Sequence, residues 1–571
     1  MKNNTIAAIC CLSLISVKGA AQQFLNLDFE YGVYKAQPRK WAIEGEGEVY
    51  GARLDSSTAK SGNKSLYITV KNGQVYTFLS IPGKLIAGKT IQIEGFIKYK
   101  NADSLVTMLA FRDPGGGKPD ASPAIKGNNN EWIIAAHQAS FPDNYSPDRL
   151  LIALVAVGTG EFWFDNFTIK INGQQYGNGT PDFREPSNME IMHLNKMAVP
   201  VKSLVADANH DDLAALNKII GNAGIVALGE NSHGSSPIYK LKLRMVKYLV
   251  EKMGFSIFAL ESPTAEADRI NEYVLYGTGT LTDVIKNLAY PAWQTQEMID
   301  IIQWIKAYNQ RTGNTVAFKG FDMQNGMAAF DAVEDFASVH DTALLADLAE
   351  LKKWYGDATN GKLPWNQVSQ KAETTDQYLA VKNNPAYAGM DVQELARIRH
   401  YMNIFVQSLS SQYKSPKSKS RDAYMAQNID WLVKNYPGRK IIISADNTHV
   451  TKASGKMGSF LTEWYGQKYI VVGFTFNTGS YSAYGPEKYY EVHPSFTGTY
   501  EYFFSKSKFK NFLLDIRNIN EIPILNSTAG FRSIGSRPQE TTQFTEINLK
   551  KHFDVIAYIE NSVHTTFPVK K

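Results

Sequence analysis

Between Phe24 and about Tyr176, apolar and polar residues alternate in short runs broken by Gly, Asn, Asp and Pro: SLYITV at 65–70, TIQIEGFIKY at 90–99, LLIALVAV at 150–157 and FWFDNFTIKI at 162–171. A period of two sends successive side chains to opposite faces, so each run predicts a strand with one buried and one wetted side. Several at this spacing predict an all-β sandwich over residues 22–176. The segment 177–201 is rich in Pro, Gly, Asn and other polar residues and reads as a linker or strap. Beyond it the period changes. GIVALGE at 224–230 and SIFALES at 256–262 are apolar runs ending in polar residues. Between them, PIYKLKLRMVKYLVEKMG at 237–254 opens on Pro, spaces Ile238, Leu241, Met245, Tyr248 and Leu249 helically, and stops at Gly254. Strand, helix, strand in that order predicts a βαβ unit and therefore a parallel sheet. Further strands are expected at TVAFKGFD (315–322), KIIISADN (440–447), KYIVVGFTF (468–476) and FDVIAYIE (553–560), with a helical insertion between Phe330 and Val433. The chain reads as multidomain: an N-terminal jelly-roll β-sandwich, then an α/β domain over 202–571 with a mostly parallel sheet and a helical cap.

The length of 571 residues also exceeds what one hydrophobic core organises. Residues 1–21 place Lys2 ahead of an apolar run from Ile6 to Val17, followed by Gly19, Ala20 and Ala21, the pattern of a cleaved secretory signal. The expectation is therefore a secreted or periplasmic protein. The apolar run is too short to span a bilayer, and no later stretch reaches about 18 apolar residues. Both cysteines, Cys10 and Cys11, fall inside the signal. Cleavage after Ala21 would leave no thiol, which excludes disulfides, thiolate nucleophiles and Cys-ligated metals; acylation of one of the two as a lipoprotein is the lesser alternative. The net charge of +5 falls to +3 when Lys2 and Lys18 leave, too little for a nucleic-acid partner.

In an open parallel sheet, ligands bind beyond the carboxyl ends of the strands. Three such ends carry chemistry here: Gly229-Glu230-Asn231-Ser232-His233-Gly234, then Glu261, then Asp446-Asn447-Thr448-His449. Imidazole titrates near neutrality, and a carboxylate beside it holds one tautomer and stabilises the protonated ring, so His233 with Glu230 suits general-base work on water. Glu261 and His449 could complete the cluster from neighbouring strands. Taken singly, each has a bland reading as a capping carboxylate or a satisfied loop histidine; their coincidence at three strand ends favours function. Arg421 is expected either to pair with a pocket carboxylate or to form a surface ion pair. Asp422 beside it suits the start of a helix. No Gly-x-Ser-x-Gly elbow is present, and the triple glycine at 115–117 lacks the Lys-Ser or Lys-Thr of a phosphate loop.

VALGENSHG, FALES, PAWQTQEMIDIIQWIKAYN, KGFDMQ, RDAYMAQNIDWL, SADNTHV and KMGSFL, in this order over about 380 residues, resemble the erythromycin esterase family. The resemblance implies ester hydrolysis, typified by macrolactone opening, by a water that a His activates without a bound metal or other cofactor. It implies catalytic roles for Glu230, His233, Glu261 and His449: His233 is the base, the two glutamates orient it or the water, and His449 or a basic residue stabilises the oxyanion. It also places Lys242, Arg244, Trp293, Glu297, Arg421, Asp446 and Asn447 among the residues expected to bind substrate. Where the family commonly has His-Asn-x-His, this chain has Asp446-Asn447-Thr448-His449, which would alter the pocket's charge and leaves the family's substrate, and with it macrolide resistance, open for this chain. The exchange also makes a metal site conceivable, with Asp446, His449, Glu230, Glu261 and His233 as ligand types. NLDFE with Trp41, SGNKSL and GTGEFWFDNFTIKI are similar to carbohydrate-binding-module-like jelly rolls. That makes an ester on a glycan or glycosylated compound as attractive a substrate as a macrolide. Two rivals stay open: a metal-dependent hydrolase, and a binding protein that grips its ligand without turnover.

Overall fold

The computed structural model describes residues 24–567 apart from 34–35, 108, 113–119, 146–148, 180–183, 207, 382–386, 484–488 and 539–542. The expected signal with Cys10, Cys11 and Ala21, and the triple glycine at 115–117, lie outside the described residues. The chain divides into two compact units, meeting in sequence at Phe183 and Arg184.

The first unit is all-β and antiparallel throughout. Its long strands, Ser65–Pro82, Thr90–Thr107, Ala124–Ser140 and Arg149–Ile171, pair in the order Ala42–Glu46, Ser65–Pro82, Arg149–Ile171, Thr90–Thr107, Ala124–Ser140. The alternation expected from the sequence is present, and its apolar face forms one core around Phe29, Ile68, Val75, Phe162 and Phe164, as a β-sandwich requires. One expectation needs correcting: the runs at 150–157 and 162–171 are a single 23-residue strand. Gly158 and Gly160 between them do not make a turn. Gly158, with φ 98°, lies beside a register shift between Val70 and Gly73 of the paired strand, so the glycines accommodate a bulge.

The second unit begins earlier than expected. Of the anticipated linker, residues 188–197 form helix α1 (Asn188–Met197), opened by a capping box between Ser187 and Glu190. Leu194 of this helix is fully buried. The polar composition that suggests a linker is here the polar face and cap of a docked helix. Nine strands follow in the main sheet: β1 (Val199–Pro200), β2 (Ile225–Leu228), β3 (Phe255–Pro263), β4 (Ala317–Asp322), β5 (Lys440–Ser444), β6 (Tyr469–Ser482), β7 (Tyr489–Glu491), β8 (Asn511–Asp515) and β9 (Val555–Ser562). Their order is β1-β8-β9-β6-β2-β5-β3-β4, with β7 beside β6. The strands expected from apolar runs are all mutually parallel, while β1, β7 and β8 add antiparallel pairs.

Residues of the central strands divide between two cores. Val226, Leu228, Phe258, Leu260 and Ile442 face one, where helix α2 (Ser236–Met253) docks Leu241, Met245 and Leu249. Ile225, Ala227, Ile257, Ile441 and Ile443 face the other. Burial on both faces explains why these strands read as unbroken apolar runs. Helix α2 ends at Gly254, whose φ of 71° supplies the left-handed C-cap. Helices α3 (Thr264–Tyr276) and α4 (Gln296–Thr312) complete that layer.

The expected cap consists of α5 (Met327–His340), α6 (Thr342–Thr359), α7 (Trp365–Ala380) and α8 (Val392–Leu409), with a core of its own around Phe330, Leu348, Val368 and Phe405. A buried ionic latch holds it to the sheet. Lys319 Nζ of β4 donates to Asp268 Oδ1 of α3 at 2.7 Å, and Tyr401 of α8 donates its hydroxyl to Asp268 Oδ2 at 2.7 Å. Burial opposes the charge on Lys319, but Asp268 outweighs it and raises the lysine's pKa. Removing one partner of a buried pair strands the other, so Lys319→Met is expected to cost about 3–5 kcal/mol in urea unfolding. The Lys319→Met, Asp268→Leu double variant should recover part of that loss.

Candidate active site

Sheet register assembles the site. Leu228, Ser444, Leu260 and Gly320 lie side by side across the parallel strands β2, β5, β3 and β4. One or two residues further along, Glu230, Asp446, Glu261 and Asp322 stand at the carboxyl ends of these strands. A cavity of about 600 Å³ opens there, and its wall includes His233, Glu261, Trp293, Arg421, Asp446 and His449.

His233 sits on a turn stitched to the 534–535 loop: Ile534 and Gly535 donate their amides to Asn231 O at 2.8 and 3.0 Å, and His233 N donates to Gly535 O at 3.1 Å. Gly234 follows because a Cβ there would lie 2.0 Å from Ser482 O. The His233 Nδ1 is 3.2 Å from Glu230 Oε1, while Glu230 Oε2 pairs with Lys242 Nζ, which also donates to Ser444 Oγ at 3.0 Å. Glu230 can only accept, so Nδ1 carries the hydrogen and the Nε2 lone pair is left toward the cavity, 3.9 Å from Asp446 Oδ2. The ring packs edge-to-face on Trp293 at 4.8 Å, and the Trp293 indole donates to Glu261 O at 2.9 Å. Lys242 is fully buried; desolvation pulls its pKa well below the ordinary lysine value, against Asp446 and Glu261.

A second imidazole stands opposite in role. His449 belongs to the short helix α10 (Asn447–Val450), which Asp446 caps by accepting from Thr448 N at 2.7 Å. Its Nδ1 is 2.9 Å from Asp422 Oδ1, at the start of helix α9 (Arg421–Asn435). Arg421 Nη1 lies 3.0 Å from His449 Nε2. A guanidinium has only hydrogens to offer, so Nε2 presents a lone pair and the ring is neutral, with its hydrogen on Nδ1. Burial lowers the pKa of His449, yet Glu261 and Asp422 prevail over burial and Arg421 and raise it. The geometry sets the arrangement described, and acid breaks it: protonated Nε2 would give up Arg421 for Glu261 Oε1, now 3.5 Å away.

Glu261 is held charged. Burial would raise its pKa, but in acid protonated His449, Arg421 and protonated His233, with the Asp446 amide at 3.0 Å, bring it down to about 2. Arg421 bridges Glu261 and Asp322, and Tyr290 adds a hydrogen bond to Asp322 at 2.8 Å.

Of the residues expected from the sequence, His233, Glu261, His449, Trp293, Arg421 and Asp446 line the cavity. Glu230 stands directly behind His233. Four expected substrate contacts are placed elsewhere. Lys242 is sealed beneath Glu230. Arg244 binds Asp212 at 2.6 Å together with Ser203 O and Asn209 O, tying down the segment ahead of β2. Glu297 accepts from Thr566 N and Oγ1. Asn447 bridges Glu230 O and the Phe474 backbone between strand ends. Asp322 is a carboxylate that sequence reasoning missed, although it ends a predicted strand just as Glu261 does. Asp422 backs His449 in addition to suiting a helix start. Tyr290, Gln324 and the Gly535–Arg537 loop also line the cavity, and no local pattern marked them.

Among the described residues, no group of three or more His, Cys, Asp or Glu is placed to hold a metal ion. The donor set also does not fit one: the oxygens of Glu230 are engaged by His233 and Lys242, and those of Glu261 by Arg421 and the Asp446 amide. No helix among the described residues is long and apolar enough to cross a membrane.

A parallel sheet with carboxylate-backed imidazoles around a cavity at its strand ends defines an α/β protein of hydrolytic type. The sequence model of the erythromycin esterase family matches residues 250–562, and the chain belongs to that family of hydrolases. Erythromycin esterase type II of Escherichia coli is 27% identical over 413 residues, which are 64% of this chain and 96% of that protein. A solved succinoglycan biosynthesis protein is 24% identical with a TM-score of 0.59, covering 67% of this chain and 100% of its own. A mutant of the erythromycin esterase EreC, solved in its open conformation, shares the fold at 18% identity and a TM-score of 0.51, covering 64% of this chain and 98% of its own.

Because its folded pKa lies below the unfolded value of about 4.5, Glu261 contributes stability that is complete above that pH and is lost as pH falls toward about 2. The loss is expected to be roughly 3 kcal/mol, read from urea unfolding against pH, and that dependence should be absent from Glu261→Gln.

Proposed function

We propose that the second unit hydrolyses a carboxylic ester by water activated on His233 Nε2. The observation that carries this reading is the line Lys242–Glu230–His233: a buried lysine donates to and fixes a carboxylate, the carboxylate fixes the tautomer, and the one unshared ring nitrogen is turned to the cavity. A water held there loses its proton to Nε2 as its oxygen attacks the ester carbonyl; the imidazolium is stabilised by Glu230 and returns the proton to the leaving alcohol. Asp446, 3.9 Å from Nε2, adds a second carboxylate beside the ring, facing the nitrogen that Glu230 does not touch. A cavity of about 600 Å³ suits a sizeable organic ester, either a macrolactone or an acylated glycoside or glycan. The reading includes export, on the strength of the N-terminal signal pattern.

A second reading concerns the first unit, proposed as a sugar-binding module. Trp41 is buried, with its indole donating to Leu25 O, and is unsuited to stacking. Arg53, Tyr67, Trp163 and Lys98 instead form one row across four adjacent strands. The polar ends of both rings are already satisfied, Tyr67 by Glu161 at 2.6 Å and Trp163 by Asp55 at 2.8 Å. What remains partly exposed is apolar ring surface among charges of both signs, Arg53 and Lys98 with Asp55 and Glu161, which suits stacking on a pyranose ring.

His233→Ala is expected to lower kcat about 10²–10⁴-fold in a screen of macrolides and acylated sugars; equal turnover by both proteins would reject the assigned base. Trp163→Ala should abolish retention on immobilised polysaccharide while leaving ester turnover intact. Unchanged retention would make the first unit a purely structural element.

A further inference from the structure

A guanidinium has five N–H donors, and four of those on Arg421 are spent. Nε donates to Asp322 Oδ1 at 3.0 Å, Nη2 to Asp322 Oδ2 at 2.9 Å and to Glu261 Oε1 at 2.8 Å, and Nη1 to His449 Nε2 at 3.0 Å. One Nη1 hydrogen is left over, on a side chain that is 27% exposed and forms part of the cavity wall. The two imidazoles and the Tyr290 phenol beside it have no such hydrogen. His233 gives Nδ1–H to Glu230, His449 gives Nδ1–H to Asp422 and holds a lone pair on Nε2, and Tyr290 gives its hydroxyl hydrogen to Asp322.

Resting on the ester-hydrolysis reading above, we propose that Arg421, through this free Nη1–H, is the electrophile that receives the oxyanion, and that Asp322 is its positioning residue. His449 then serves to orient Arg421 and offers the substrate no proton of its own. In the step, the water oxygen bonds to the carbonyl carbon as its proton passes to His233 Nε2, and the carbonyl π pair moves onto the carbonyl oxygen, whose charge meets Nη1–H. When that pair returns, the bond to the leaving oxygen breaks and His233 delivers its proton to the departing alkoxide. A donor gripped by two carboxylates needs little reorganisation when the charge appears, the condition under which such a group is most effective. Its formal charge also makes the bond stronger than a neutral donor would give.

The test uses the full-length protein, 4-nitrophenyl butyrate as substrate, and the methyl butylphosphonate monoanion as a tetrahedral anion. Arg421→Ala is expected to lower kcat by about 10²–10³-fold with KM changed less than about threefold. It should weaken phosphonate binding by a similar factor and regain turnover when guanidinium ion is added. Arg421→Lys keeps the charge without the fork and should not recover full kcat. Asp322→Asn should lower kcat by an intermediate factor, and thermal unfolding identifies any variant that fails to fold. If Arg421→Ala does not fold, Arg421→Lys and Asp322→Asn decide. Folded variants with unchanged kcat and phosphonate affinity, a loss confined to KM, or a loss that appears only in Arg537→Ala would overturn the proposal. Absence of turnover by the wild type would count against the hydrolase reading alone; phosphonate binding then decides for Arg421 if it weakens in the variants and against it if it does not.

Discussion

Parallel pairing of β2, β5, β3 and β4 is the constraint on which the site depends. It sets Leu228, Ser444, Leu260 and Gly320 in one row, and the acidic residues that follow then stand along one edge on successive strands about 4.8 Å apart. Four carboxylates gathered at one buried edge would repel strongly in a medium of low dielectric. The arrangement is tolerable because donors are interleaved: Lys242 and the His233 Nδ1–H at Glu230, and Arg421 between Glu261 and Asp322.

Interleaving of this kind also divides the work. Glu230 and Asp422 each stand behind an imidazole, yet the two rings end in different states. Behind His233 the outer nitrogen is unshared and turned to the cavity; behind His449 it is occupied by Arg421. The same residue pair, carboxylate and histidine, thus yields a free base in one place and an orienting group in the other, and the difference lies in what meets Nε2. Asp446 caps α10, donates its amide to Glu261 and faces His233. One side chain thus supplies both the oxygen that supports the local backbone and a carboxylate at the pocket.

The helical cap and the first unit show the same economy of buried polar contacts. The cap has its own apolar core and meets the sheet through Asp268, satisfied from both sides by Lys319 and Tyr401. In the first unit, Tyr67 and Trp163 spend their polar atoms on Glu161 and Asp55, which fixes the rings and leaves surface to contact something else.

Much of this was legible along the chain. Period-two alternation marks the first unit, and unbroken apolar runs followed by Glu230, Glu261 and Asp446 mark parallel strands and their functional ends, because side-chain period and burial on one or two faces are local properties. Helix α1 was missed because a capping box and a linker share the same polar residues, and only docking of Leu194 tells them apart. The bulge at Gly158 looked like a turn because glycine permits both. Whether a basic or amide side chain reaches the cavity is not a local property at all. Lys242 and Arg244 are two residues apart on α2, but successive directions on a helix turn one beneath Glu230 and the other to Asp212. Arg421 was visible as a charge but not as the bridge between Glu261, Asp322 and His449, since those partners lie 160, 99 and 28 residues away and meet only when two strands and two helices are packed. Residue types and strand ends came from the sequence; the tautomers, the ion pairs and the single unspent hydrogen on Arg421 came from tertiary structure, because each depends on a distance between groups remote in the chain.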